Sequence, residues 1–133
     1  MTDCIFCKIV NGESPCYKIY EDGKTLAFLD VFPVYKGHTL VVPKKHVENI
    51  AEISEENLAC VSKTAKKVAK LLKEKLNYEG VNLVQSNGRV ASQVVMHFHM
   101  HVVPRFAGDG LNLWTHGEKP SFDLKKIHEQ ITQ

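Results

Sequence analysis

Short runs of alternating or clustered apolar residues occupy most of the chain, and one long stretch in its middle follows a helical period. Residues 17–20 (YKIY) and 25–32 (TLAFLDVF) are rich in β-formers and flank Glu21-Asp22-Gly23, a turn signal, so they predict a hairpin. Gly37 opens a third run, HTLVVP, stopped by Pro43. Residues 81–86 (VNLVQS) predict a fourth strand, Asn87-Gly88 a turn, and residues 94–103 a fifth and longest strand. Between the third and fourth, Leu58, Val61, Ala65, Val68 and Leu72 recur every three or four residues. Ser54 supplies an N-cap to this helix, Glu55 and Glu56 suit its first turn, and it fades near Asn77 to Gly80. Its lysines read as a solvated face. A short helix fits residues 121–131. The class is α+β: five strands in a mostly antiparallel sheet, one long helix and a short C-terminal one.

The fifth run changes the picture, because histidine fills its polar side. In HFHMHVVP, residues 97–104, His97, His99 and His101 alternate with Phe98, Met100 and Val102. As a strand, this places the three imidazoles on one face, about 6.6 to 6.8 Å apart at Cα, and the apolar three on the other, against a helix. Imidazoles so placed can converge on zinc. Alternatively, one is a nucleophile oriented by its neighbours, for which neutral imidazole is abundant near pH 7.

Totals narrow the setting. The 133 residues are 44% hydrophobic, enough for one core and one domain over residues 1–133, with the tail 107–133 more loosely organised. A net charge of +2 gives no argument for nucleic acid as partner. No apolar run has the roughly 20 residues of a membrane span, and MTDCIFCKIV does not read as a signal peptide. The expected location is cytoplasmic, where the four cysteines stay reduced. Cys4-Ile5-Phe6-Cys7 is a CxxC, which by itself fits a redox pair, half a zinc site or coincidence. A redox pair calls for a helix start after a strand, and none is evident. Neither GxxxxGK[ST] nor GxGxxG occurs, so phosphates are not held by a glycine-rich loop.

H-F-H-M-H-V-V resembles the signature of the histidine triad (HIT) superfamily of nucleotide hydrolases and transferases. CIFCKIVNGESP, YEDGKTLAFLDVFPVYKGHTLVVPKKHV and HMHVVPRF resemble its bacterial-type members in the same order, covering residues 4–106. The resemblance implies the HIT-like fold, with the sheet extended across a homodimer. It implies that His99 attacks the α-phosphorus of a nucleotide and carries a nucleotidyl intermediate, that water then releases the nucleoside monophosphate, and that His101 and His38 assist. It also implies a structural zinc ion on Cys4, Cys7, His46 and His97. Asp30 would accept hydrogen bonds from the ribose hydroxyls. Ile5, Phe6, Phe28, Leu29 and Val31 would form a slot for a purine base, as in AMP or GMP. Asn87 and Gln93 would donate on the phosphate side.

Two features depart from that family. Where it usually reads Gly-Gln-Ser or Gly-Gln-Thr before the triad, this chain has Ser92-Gln93-Val94. Val94 cannot donate a hydrogen bond, and one lost transition-state donor costs on the order of 10²–10³ in rate. The stretch GLNLWTHGEKP also lacks the Trp-Pro-Pro-Gly ending of the eukaryotic phosphoramidase branch. Phosphoramidate cleavage therefore stands beside two alternatives, dinucleoside polyphosphate hydrolysis and nucleotide binding with little turnover.

Overall fold

The computed structural model describes residues 3–115 and 117–133. One position of GLNLWTHGEKP, residue 116, lies outside the described residues. The elements are α1 (Ile5–Val10), β1 (Lys18–Glu21), β2 (Thr25–Leu29), β3 (Thr39–Pro43), α2 (Glu55–Leu76), β4 (Gly80–Gln85), β5 (Met100–Arg105) and α3 (Leu124–Thr132), with a one-turn 3-10 helix at Arg89–Ala91 before β5. The strands form one antiparallel sheet in the order β1-β2-β3-β5-β4. No helix among the described residues is long and apolar enough to cross a membrane.

The hairpin turns on Asp22, whose Oδ1 accepts from the Lys24 and Thr25 amides at 2.9 and 2.8 Å, the local bonding expected of an Asp in a turn. α2 begins where Ser54 Oγ accepts the Asn57 amide at 3.1 Å and ends on Asn77 in the left-handed conformation, φ 52°. Its stripe of Val61, Ala65, Val68 and Leu72 covers one sheet face, packing with Ala27, Val41, Phe98 and Val102. A buried Thr25–Thr64 hydroxyl pair at 2.7 Å joins β2 to α2. On the opposite face Leu26, Phe28, Leu40 and Val42 pack with Phe6 of α1. Alternation along β2 and β3 thus feeds two cores, one on each side of the sheet.

Two expectations change. Residues 94–99 are not strand: β5 starts only at Met100, which pairs with Val41 of β3 and Gln85 of β4. Before it, the Gln93 side chain is buried and spends its amide on neighbouring backbone, donating to the Glu48 and Val95 carbonyls and accepting from the Gly88 amide. The backbone there is drawn toward residues 47–50, with Phe98 N donating to Val47 O at 2.7 Å, and so leaves the ladder. The second difference is α1 itself. CxxC sits at a helix start, with Cys4 as N-cap and its Sγ accepting the Cys7 amide at 3.4 Å, although no strand precedes it among the described residues.

Candidate functional site

His99 and His101 come together with His38 and Asp30 where the end of β2, the start of β3 and the entry to β5 meet, while His97 turns to a second cluster described below. His101 lies in β5 opposite Leu40, on the sheet face away from α2. His99 and His101 have ring centroids 5.0 Å apart. The alternation thus brings the three rings to one side even though only His101 is in a strand.

Hydrogen bonds fix what each ring presents. His99 Nδ1–H donates to the His97 carbonyl at 2.7 Å, leaving the lone pair of neutral His99 on Nε2. His38 Nδ1 accepts the Val34 amide at 3.1 Å, and its Nε2 lies 2.8 Å from His101 Nδ1 and 3.5 Å from Asp30 Oδ2. His38 and His99 are buried. Burial pushes all three of these rings toward the neutral form: His99 and His38 fall below the ordinary imidazole value, and His101 falls to about 4, with His99 and His38 beside it adding to the effect. A buried, neutral imidazole with an oriented lone pair is a competent nucleophile.

Phe6 of α1 stands edge-on to His99 at 5.2 Å and to Phe28 at 5.5 Å, so α1 walls the site. Of the five apolar slot residues, Phe6 and Phe28 are buried, Leu29 is half-buried, and Ile5 and Val31 are exposed. Asp30 Oδ1 accepts the Phe32 amide at 2.9 Å, which leaves Oδ2 toward His38. Asn87 and Gln93 are already occupied. Asn87 pairs with Gln85 and accepts the Ile50 amide, and Gln93 braces the loop as described. Val94 is exposed and, with Ile5, lines a cavity of about 550 Å³ that reaches Cys4 and His46 and includes none of the three rings His38, His99 and His101.

Cys4, Cys7, His46 and His97 form a second cluster, their ligand atoms within 4.8 Å of one another. His97 Nε2–H donates to the Pro43 carbonyl at 2.9 Å, so its Nδ1 lone pair faces the cluster. From that Nδ1, His46 Nδ1 is 3.1 Å away, Cys4 Sγ 3.4 Å and Cys7 Sγ 3.6 Å; Cys7 Sγ is 3.3 Å from His46 Nδ1. A tetrahedral zinc ion, with bonds of about 2.0–2.1 Å to nitrogen and about 2.3 Å to sulfur, has edges of about 3.4 Å between nitrogens and about 3.6 Å from nitrogen to sulfur. The donor set and its spacing fit zinc, and two thiolates would neutralise the ion. Without a cation, burial and the neighbouring Cys4 thiol raise the Cys7 thiol above its usual range, and burial lowers His97 to about 4. Asp30, His38 and His101 also lie within 4.8 Å of one another, but His38 Nδ1 is taken by Val34 and its Nε2 by His101.

Several parts of the site are backbone and carry no signal in the sequence: the carbonyls of His97 and Pro43 and the amide of Val34. The wall provided by α1 was not read from the sequence either, since six residues are too few for a firm periodic signal.

The family model for the HIT domain matches residues 11–108, and the chain belongs to the HIT domain family. The crystal structure of a Streptococcus mutans protein superposes with a TM-score of 0.92 at 42% identity, covering 98% of this chain and 84% of that one. A Candida albicans adenosine 5′-monophosphoramidase is 40% identical over 136 aligned positions, 98% of this chain and 90% of its own length. A zinc-bound histidine triad family protein from Mycobacterium smegmatis has a TM-score of 0.81 and 37% identity, covering 88% of this chain and 85% of that one.

Proposed function

We propose that the protein hydrolyses purine nucleoside 5′-phosphoramidates, or related nucleoside phosphate bonds, through a nucleotidyl intermediate on His99. The observation that carries this reading is the 2.7 Å bond from His99 Nδ1 to the His97 carbonyl, which aims a neutral Nε2 lone pair outward. In the first step Nε2 bonds to the α-phosphorus and the bond from phosphorus to the leaving nitrogen breaks, its electron pair going to that nitrogen, which takes up a proton. In the second, water bonds to phosphorus, the phosphorus–Nε2 bond breaks, and its pair returns to His99 as the water's proton is released. His101 donates to a phosphoryl oxygen, where charge develops. Asp30 receives the ribose hydroxyls, and Phe6 and Phe28 line the base slot. The relative named as an adenosine 5′-monophosphoramidase supports the reaction class and an adenine nucleotide such as AMP.

Zinc on Cys4, Cys7, His46 and His97 would be structural, as four protein ligands leave no open position. The zinc-bound relative supports that assignment. A homodimer is part of this reading.

Incubation with adenosine 5′-phosphoramidate, a denaturing quench held at alkaline pH, where phosphorus–nitrogen bonds persist, and mass spectrometry tests the proposal. The expected result is an adenylyl adduct on His99, absent from His99→Asn together with AMP release. Binding of AMP with no adduct and no turnover would instead favour the binding-module reading, to which the exposed, non-donating Val94 gives some weight.

A further inference from the structure

We infer that the sheet face turned away from the triad carries a second binding site, an aliphatic pocket with a cationic corner that takes a free, single-chain fatty carboxylate. A cavity of about 400 Å³ opens between the C-terminal half of α2, β1, the end of β2 and the approach to β3. Ile19, Leu29, Leu71, Leu72 and Leu76 form its walls. Strand alternation separates it from the triad. Phe28 packs on Phe6 on the triad side, so Leu29, one residue on, faces α2. Leu72 belongs to the buried stripe that covers the sheet, whereas Leu71 and Leu76 beside it are only half-buried. Leu71 and Lys75, one turn apart, share the side of α2 that overlooks the pocket.

The corner is built by a glycine. Gly37, at φ 89°, lets α2 close on the sheet, since a Cβ there would stand 2.6 Å from Leu76 Cδ1. Lys36 precedes Gly37 and Lys75 precedes Leu76, so both lysine stems leave from this one corner, and both line the cavity. Among the described residues neither lysine forms an ion pair. Lys36 Nζ lies 5.6 Å from the Phe106 ring centroid, a contact that uses none of its three hydrogens. No carboxylate and no aromatic ring lines the pocket among the described residues. The lining therefore selects its ligand. A nucleotide or a sugar needs stacking rings or hydrogen-bonding side chains, and these walls offer neither. An aliphatic chain buries its methylenes against the leucines, and its carboxylate meets two ammonium groups at the corner. The volume lies at the small end of the roughly 300–1,000 Å³ of ligand cavities, which suits one chain and not the paired chains of a bilayer lipid. Nothing in this depends on the phosphoramidase reading.

Titration of the full chain with sodium decanoate, followed by amide proton–nitrogen NMR, tests the site. The expected result is a saturable shift centred on the amides of Ile19, Leu29, Gly37, Leu71 and Leu76. Decanoate should bind at least about tenfold more tightly than hexanoate, because the added methylenes are buried. It should bind about fivefold more tightly than decanol, which has the chain without the charge. Lys36→Gln combined with Lys75→Gln, two exposed changes that leave the core intact, should erase the preference over decanol. Leu71→Asp should remove binding of both. Absence of saturable shifts at millimolar decanoate would overturn the site and leave the two lysines as stems lying over apolar surface. Decanol binding as tightly as decanoate would overturn it too, as would a double lysine variant that still prefers the carboxylate. Shifts of the same amides with protein concentration alone would make the pocket a contact between copies of the chain, and co-sedimentation with phosphatidylglycerol vesicles without decanoate binding would make it a membrane-facing surface; either result replaces the proposal.

Discussion

At the scale of single residues, the loop before the triad shows how this chain departs from its relatives. Ser92 adopts φ 73°, a left-handed conformation that glycine takes freely and that costs a residue with a Cβ about 1 kcal/mol. The glycine expected there from the family pattern is therefore a backbone requirement, which this chain meets under mild strain. Two positions on, Val94 is exposed beside the cavity that reaches Cys4 and His46. Because the side chain already points to open space, a hydroxyl can be introduced without disturbing the core. Val94→Ser should raise kcat for adenosine 5′-phosphoramidate, by as much as about 10²-fold if its hydroxyl meets the phosphate or the leaving nitrogen. Steady-state kinetics on that substrate check it; an unchanged kcat would mean that this position does not face the reacting group.

At the scale of elements, the important unit is the segment from Gln93 to His99, which sits outside the sheet and yet places two of the three histidines. Its anchor is Phe98, fully buried among Val47, Val61, Ala65 and Val102. Phe98→Ala should lower stability by about 3–5 kcal/mol, read from urea unfolding. It should also cut turnover of the surviving folded protein, because the His97 carbonyl that orients His99 is the next backbone group along. The sequence announced Phe98 correctly as buried against the long helix, since alternation survives a bend of the chain. It could not announce where pairing begins, because Gln93's three bonds to backbone, one of them to the distant Glu48 carbonyl, have no periodicity to betray them. The long helix, its caps and the hairpin were legible because each depends on neighbours a few residues away. α1 was hidden because CxxC drew attention to its sulfurs and six residues are too few for a firm periodic signal. Among the binding residues expected from resemblance, Phe6 stands against His99 and Phe28 packs on Phe6 behind it, whereas Asn87 and Gln93 are spent on holding loops together. A polar residue next to a site is readable from sequence; the partner its amide chooses is not.

At the scale of the whole molecule, the Cys/His cluster and the buried histidines tie separate parts of the chain into one arrangement that depends on protonation. The cluster joins α1, the turn after β3 and the approach to β5 through Cys4, Cys7, His46 and His97. Elemental analysis should find one zinc per chain, and Cys4→Ser should lose it while unfolding at lower temperature. Acid acts on the other cluster as well. His101 is held near 4 when folded, against an ordinary value of about 6.5. Below that ordinary value the unfolded chain binds the proton and the folded one does not, so stability falls as pH drops. The contribution is whole above about pH 6.5, is lost progressively down to about pH 4, and amounts to about 3 kcal/mol. Zinc release follows the same direction, since its ligands must be deprotonated, and would mask the effect in the wild type alone. The difference between wild type and His101→Gln removes that term, both proteins carrying the same cluster. Urea unfolding from pH 7 to 4.5 should therefore show a steeper loss in the wild type than in the variant; parallel curves would mean that His101 titrates normally in the fold and that its environment is far wetter than its packing against His38 and His99 implies.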